Sequence, residues 1–280
     1  MPLANHPALV CARQELALAV RSRWTQIFAA VFAALSLAVA ASGYILSGGH
    51  GVQDFARTAA SLVQLVLLLV PLTSLLIGVL ALVPDRGAAE MLFSQPVSRT
   101  AILLGKVAGL LQALVAAQLL GFGAAGLVVY SQAGEEGIGR FLLLTLGSIL
   151  LTAIFLGLAA LIAAGSAGRR RTRALAVALV VWFAAVVLYD VVALGAASML
   201  RSGTASRLLI LSVIVNPVDA VRTGTLLGLE GVTAFGAASL AFLRFTRGPL
   251  GAGVVLSLSI LLWIAVPVWL AARRLRRADI

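Results

Sequence analysis

The chain has 280 residues, of which 61% are hydrophobic and only 11% are charged, and its mean hydropathy is +1.09. A water-soluble core of this size could not bury so many apolar side chains, and several apolar runs exceed the ~18 residues typical of a membrane-spanning helix. The formal net charge of +11 comes from arginines at the ends of those runs. There they set topology and meet anionic lipid headgroups, so the charge does not indicate nucleic-acid binding.

The residues that support metal or redox chemistry are scarce. Cys11 is the only cysteine, which excludes an internal disulfide and a multi-cysteine metal site. The two histidines, His6 and His50, are too far apart to show the spacing of metal ligands. The sequence contains neither an H-E-x-x-H metalloprotease motif nor a P-loop, and no convincing nucleophile–base pair. We therefore expect a non-catalytic chain with no cofactor of its own.

The first predicted element is an amphipathic helix over residues 8–23. Apolar residues recur on one face at helical spacing, namely Leu9, Ala12, Leu16 and Val20. Polar residues occupy the other face, including Arg13, Gln14 and Arg21. This pattern is typical of an interfacial helix that lies on the membrane, with Trp24 as an anchor at the headgroup level. The basic residues, the apolar stretch and Ala38-Val39-Ala40 also match a cleavable signal peptide, an alternative that we disfavour.

Six apolar segments are long enough to cross a membrane. They are residues 25–46, 58–83, 102–130, 141–165, 174–199 and 248–272. Each must be helical, because an isolated segment in lipid has to satisfy its own backbone hydrogen bonds. Gly105 and Gly109 form a G-x-x-x-G pattern that permits close helix packing, although in a glycine-rich membrane protein the pattern does not identify the partner helix. The sequence predicts a single all-α membrane domain over residues 1–280.

The longest polar interruption in the first half of the chain is the stretch 85–106. Pro96 should end one helix by Gln95, because proline lacks the N–H for a helical bond and restricts the residue before it. Ser98 then suits the N-cap of the next helix. The preceding piece, residues 85–96, is predicted to be a short amphipathic helix. Such a helix is suited to docking a partner outside the bilayer, and an ordinary loop is the alternative.

The basic residues predict the orientation of the chain. Six spans place the N-terminus, the loops 84–101 and 166–173 and the C-terminus on one side, together with Lys106. That side carries fourteen of the 21 Lys and Arg residues, against seven on the other. Because Lys and Arg concentrate in cytoplasmic segments, both termini and the 85–106 loop are predicted to face the cytoplasm.

The region 202–247, between the last two spans, is the other irregular part. Asn216 suits a helix N-cap, Pro217 the first helical position, and Asp219 the first turn, where its charge favours the helix dipole. Arg222 follows three residues later, a spacing that allows an ion pair with Asp219. We expect one or two re-entrant or interfacial helices on the outer side. The alternative makes 208–228 a seventh span and puts the C-terminus outside.

Asp190, late in span five and toward the outer face, is the one ionisable residue within the predicted spans apart from Lys106 near the end of another. Carriers coupled to protons or sodium generally need carboxylates, histidines or broken helices at mid-membrane. We expect Asp190 to pair with Arg201 or to cap a helix end, in preference to forming a transport site. If the protein does work, the energy has to come from a partner.

Three stretches together resemble the permeases of the ABC-2 class of ABC transporters. The pattern from Gly87 to Lys106 resembles the segment that contains the coupling helix between spans two and three. Residues 12–16 with 21–24 resemble the connecting helix of that family. Asn216-Pro217-Val218-Asp219 with Arg222 is similar to the outer-side motif of one branch, the permeases encoded with nitrous-oxide reductase.

The resemblance implies a homodimer in the bacterial inner membrane, bound to two cytoplasmic ATPase subunits that use ATP and Mg²⁺. In the branch, a periplasmic copper-binding β-helix protein sits on the outer face, and the implied role is maturation of a copper–sulfur centre. The implied ATPase-docking surface is Glu90, Met91, Leu92 and Phe93, braced by Arg13 and Arg21. The implied outer-side partner or gate residues are Asn216, Asp219 and Arg222. The rival functions are an exporter of an unrelated lipid, peptide or drug, and a membrane scaffold without transport.

Overall fold

The computed structural model describes residues 7–47, 51–83, 97–165, 171–230 and 242–277. Within these ranges the regular secondary structure is helical, as predicted. The helices are α1 (Pro7–Arg21), α2 (Arg23–Ser47), α3 (Gly51–Leu82), α4 (Arg99–Gly165), α5 (Arg171–Phe183), α6 (Tyr189–Ser198), α7 (Ser202–Val215), α8 (Pro217–Glu230) and α9 (Pro249–Arg277). A π-helical segment, Ala184–Leu188, joins α5 to α6.

Six helices in the described part of the chain are long and apolar enough to cross a membrane. They span Arg23–Ser42, Thr58–Leu82, Arg99–Ser131, Phe141–Gly165, Arg171–Ser198 and Pro249–Arg277. These bounds differ from the predicted ones by only a few residues. This agreement is expected, because the length of an apolar run is a local property of the sequence. The prediction of six spans is confirmed.

Helix α4 contains two of these spans and folds back on itself. Helical structure is continuous from Arg99 to Gly165, yet the Gln118 Nε2 donates to Thr152 Oγ1 at 2.6 Å across 34 residues. A straight helix would separate the two by ~50 Å. The chain therefore reverses between the first arm (Arg99–Ser131) and the second arm (Phe141–Gly165).

A buried polar clasp holds the two arms together. Gln118 donates to Thr152, and its Oε1 accepts from Ser148 Oγ at 2.8 Å. All three side chains are fully buried. In an apolar bundle the Gln118 amide group would lack these partners without Ser148 and Thr152, so the clasp fixes the pairing of the arms.

A row of phenylalanines ties α2 to the arms of α4. The rings of Phe28, Phe32, Phe122 and Phe141 follow one another with centroids 5.4, 4.9 and 5.4 Å apart, the last two pairs edge to face. Gly121 permits this approach, since a Cβ there would lie 2.7 Å from Phe32 Cδ1. Edge-to-face pairs of this kind add stability beyond their buried area.

Helices α7 and α8 form a re-entrant hairpin, bent by 97°. A Cβ on Gly147 would meet Thr225 Oγ1, and one on Gly228 would meet Leu143 Cδ1. Later residues of α8 therefore contact earlier residues of the second arm, so the two helices run antiparallel. Because α7 begins just after span five ends, the hairpin enters and leaves at the same end of the bundle. This arrangement favours the predicted re-entrant pair over a continuous seventh span.

Candidate functional site

Helix α1 packs on the start of the first arm at very short range. A Cβ on Gly105 would lie 2.5 Å from the Ala8 carbonyl oxygen and 2.6 Å from Cys11 Cβ. A Cβ on Gly109 would lie 2.4 Å from the Ala12 carbonyl oxygen. The G-x-x-x-G pattern therefore lets the two backbones approach, as small residues do at helix interfaces in membranes. We call this contact the α1 seat.

A buried ion pair closes the α1 seat. Glu15 Oε2 lies 3.2 Å from Lys106 Nζ, and Glu15 is only 6% exposed. Lys106 also donates to the Ala81 carbonyl oxygen at 3.4 Å, in the last turn of α3. One ammonium group thus links α1, the first arm and the end of span two. Breaking a buried pair of this kind costs about 3–5 kcal/mol, because one charge is left without its partner.

The part of α1 that packs on the bundle includes only some of the predicted apolar face. Ala12 is buried and Leu16 is half-buried, and Glu15 and Ala19 are buried beside them, whereas Leu9 and Val20 are about half exposed. Small residues face the two glycines, because only they allow the close approach. The larger Leu9 and Val20 are left on the outer surface of α1.

Two arginines bind the C-terminal carbonyl groups of helices at the same end of the bundle. Arg171 donates to the Leu80 carbonyl oxygen near the end of α3, and Arg99 Nη1 donates to the Leu275 carbonyl oxygen near the end of α9 at 3.3 Å. Cations stabilise helix C-termini, where carbonyl groups lack helical partners. The end of span two is thus joined to span five, and the start of span three is joined to span six.

The predicted N-cap at Ser98 is confirmed. Its hydroxyl accepts a hydrogen bond from the Ala101 N–H at 3.3 Å, and α4 begins at the next residue. The predicted coupling helix at 85–96, with its docking residues Glu90, Met91, Leu92 and Phe93, lies outside the described residues. Arg13 and Arg21 are exposed on α1, on the side away from the buried Glu15. Their role as braces stays a prediction.

The apex of the α7–α8 hairpin forms a second polar centre. Asn216 is the predicted N-cap, and its Oδ1 accepts from the Val218 N–H at 3.0 Å. Its Nδ2 donates to the Ala185 carbonyl oxygen at 2.9 Å, within the π-helical segment of span five. One side chain therefore satisfies backbone groups at two helix irregularities. The second contact was not predicted, since nothing in residues 184–188 marks a π-helix.

The carbonyl groups at the end of α7 find donors on spans five and six. Ser259 Oγ donates to Ile214 O at 2.7 Å, and Trp263 Nε1 donates to Val215 O at 3.1 Å. Tyr189 Oη donates to Ser212 O at 3.3 Å. Interrupted backbone at membrane depth is stable only when neighbouring groups satisfy it. Because Trp263 is the central residue of α9 (Pro249–Arg277), the apex lies near the middle of the bundle.

An ion-pair cluster surrounds the apex. The predicted pair of Asp219 with Arg222 is confirmed. Arg222 Nη1 also lies 2.8 Å from Asp190 Oδ2 on α6. The expected Asp190–Arg201 pair is therefore wrong, although Asp190 does lie in the first turn of α6. Arg201 is exposed beyond the end of span five, whereas the hairpin returns Arg222 to the middle of that span.

No group of three or more His, Cys, Asp or Glu residues suited to a metal ion occurs in the part of the chain that the structure describes. Cys11, at the α1 seat, is a lone thiol, and one soft ligand does not make a metal site. The chemistry available at both polar centres is hydrogen bonding and ion pairing, which positions helices.

Comparison with known proteins agrees with this architecture. The family model of the ABC-2 family transporter protein matches residues 9–280. The "Probable ABC transporter permease protein NosY" of Pseudomonas aeruginosa is 32% identical over 270 residues, which cover 93% of this chain and 92% of the relative. The protein of the same name from Stutzerimonas stutzeri is 34% identical over 276 residues, 95% of this chain and 96% of the relative. The chain therefore belongs to the ABC-2 family of transporter permeases.

Proposed function

We propose that this chain is the permease of an ATP-driven transporter that matures the copper–sulfur centre of nitrous-oxide reductase. The observation that carries the proposal is its likeness, over more than nine-tenths of the chain, to two proteins named as NosY permeases. The permease acts as a homodimer in the bacterial inner membrane, with both termini in the cytoplasm. Two ATPase subunits bind ATP and Mg²⁺ and supply the energy.

Force from the ATPase enters through the helix at 85–96 and its docking residues Glu90, Met91, Leu92 and Phe93. Arg13 and Arg21, exposed on α1, brace that surface. ATP binding shifts the permease only if the closed ATPase has a higher affinity for one membrane conformation than for the other. The α1 seat supports this route, because α1 and the first arm are packed too closely to slide past each other.

The motion then spreads from the ends of the loop to the other spans. Lys106 joins the first arm to α1 and α3, Arg171 joins span five to α3, and Arg99 joins the first arm to α9. A displacement of the 85–96 helix would therefore act on spans two, three, five and six together.

The hairpin opens toward the outer side, where a periplasmic copper-binding partner would sit. Asn216, Asp219 and Arg222 form a gate at its apex, since Asn216 and Asp219 are buried near the middle of the bundle. Direct copper handling by this chain is disfavoured, because Cu(I) is selected by clustered thiolate and thioether ligands. The sequence has one cysteine and three methionines, Met1, Met91 and Met199, which are scattered. The remaining roles are export of a sulfur species and transmission of force to the partner.

An exporter of an unrelated lipid, peptide or drug is the second candidate function. The cargo that co-purifies with the complex decides between this function and the first. A scaffold without transport is the third, and it predicts that disrupting the 85–96 helix leaves function intact.

Docking is tested by co-purification of the complex from detergent after Leu92→Asp. We expect the variant to insert into the membrane and to lose the ATPase, because a charge replaces an apolar docking side chain. Ser98→Asp is the matched control: it adds the same charge six residues later and keeps an N-cap side chain on α4. Retention of the ATPase at the wild-type yield in Leu92→Asp would contradict the docking assignment.

A further inference from the structure

The ion-pair cluster at the hairpin apex has an unbalanced charge. Arg222 contacts two carboxylates, Asp190 on α6 and Asp219 on α8. Asp219 is 3% exposed, and the shared contact with Arg222 brings its carboxyl group close to that of Asp190. With both carboxylates ionised, the cluster carries a net charge of −1 near the middle of the bundle. An uncompensated charge in such a place is strongly disfavoured.

No second basic side chain compensates this charge among the described residues. The elements packed against α8 are α3, α4, α7, α9 and the π-helical segment of span five. Near the cluster they contribute Tyr189 and Asp190 as titratable groups. Arg201 and Arg207, at the start of α7, are exposed and form no ion pair with either aspartate. The basic residues at the start of α4 and at the end of α9 lie at the other end of the bundle.

We propose that Asp190 and Asp219 share one bound proton at neutral pH, which makes the cluster a protonation site with zero net charge. Two carboxyl groups held close together cannot both ionise easily, so one retains its proton and donates it to the other. The side chain of Asp190 is 30% exposed and that of Asp219 only 4%, so exchange of the proton would pass through Asp190. Release of the proton to water leaves the −1 state and weakens the clamp between the hairpin and span five.

This site deepens the gate that we propose at Asn216, Asp219 and Arg222. With the proton bound, Arg222 and the O–H···O bond hold α8 against α6. Without it, repulsion between the two carboxylates favours separation of the hairpin apex from span five. A permease cycle that moves the hairpin would then take up or release one proton per chain.

The test is infrared spectroscopy of the full chain in lipid nanodiscs, in sodium-free buffer at neutral pH. A protonated carboxylic acid has a carbonyl stretching band that shifts in D₂O. We expect the band in the wild type and its loss in both Asp190→Asn and Asp219→Asn, since the remaining carboxylate pairs with Arg222 and ionises. Glu15→Gln is the matched control, because Glu15 has a one-to-one partner in Lys106, and it should keep the band.

Three results with these samples at neutral pH would overturn the inference, and a fourth comes from a pH titration. They are absence of the band in the wild type at neutral pH, persistence of the band in either single variant, and suppression of the band by sodium, which would identify a metal cation as the occupant. If a variant fails to fold, titration of the wild-type band still decides. It should disappear only as pH rises past neutrality, and loss in mildly acidic buffer would refute the shared proton. Because no ATPase or transport is needed, failure of this test is separate from failure of the proposed function.

Discussion

The α1 seat leads to the sharpest structural prediction, on the substitution Gly109→Ala. The added Cβ would lie 2.4 Å from the Ala12 carbonyl oxygen and 2.9 Å from both Glu15 Cβ and the Leu16 backbone nitrogen. Two of these three atoms belong to the α1 backbone, so no side-chain rotation relieves the clash. The whole helix has to move away from the first arm, and Glu15 moves with it.

The magnitude follows from a comparison with Gly123→Ala on the same helix, where an added Cβ meets nothing within 4 Å. Both substitutions gain about 1 kcal/mol of helix propensity. Only Gly109→Ala incurs an overpacking cost, typically about 1–3 kcal/mol. Because the contacted atoms are backbone, we expect the upper part of that range. The difference between the variants is therefore about 3 kcal/mol.

Thermal unfolding in detergent measures this difference. The midpoint of Gly109→Ala should lie roughly 5–10 °C below that of Gly123→Ala. Stimulation of the ATPase by the permease should fall in Gly109→Ala and stay at the wild-type level in Gly123→Ala. If the two variants unfold at the same temperature, α1 does not pack on Gly109, and the proposed route of force loses its support.

Three further predictions concern the polar contacts. Asn216→Ala should destabilise the chain by about 1–3 kcal/mol, since it loses an N-cap and an interhelical hydrogen bond; Asn216→Ser keeps a capping hydroxyl without adding a charge and should cost less in the same unfolding assay. A double-mutant cycle of Gln118→Leu with Ser148→Ala should give a coupling of about 0.6–1.7 kcal/mol, and a value of zero would exclude the clasp. Glu15→Lys should reduce the yield of folded protein, and Lys106→Glu in the same chain should partly restore it; no recovery would count against the pair.

The spans could be predicted from the sequence because hydropathy and helix ends are local properties. Asn216, Pro217 and Ser98 were assigned correctly for the same reason, since a cap is recognised from its nearest neighbours. The partners of Asp190 and Lys106 could not be predicted. Asp190 contacts Arg222 only because the α7–α8 hairpin folds back into the bundle. Lys106 contacts Glu15, which lies on α1.

The buried face of α1 shows a second limit of sequence reasoning. Apolar periodicity favoured the larger side chains, but the glycines of the first arm select the small ones. A G-x-x-x-G pattern indicates close packing and does not name the helix that packs on it. The π-helical segment between Phe183 and Tyr189 has no glycine or proline to mark it. Its Ala185 carbonyl group accepts a hydrogen bond from Asn216, a contact that only the folded structure shows.

The central claim is that a cytoplasmic helix between spans two and three receives the force of an ATPase. The most direct test is the labelling of a cysteine at position 91, introduced as Met91→Cys in a Cys11→Ala background, with a membrane-impermeant maleimide. We predict no labelling in intact spheroplasts, full labelling in inverted vesicles, and protection when the ATPase subunit is bound. Labelling from the outer face of intact spheroplasts would contradict the account.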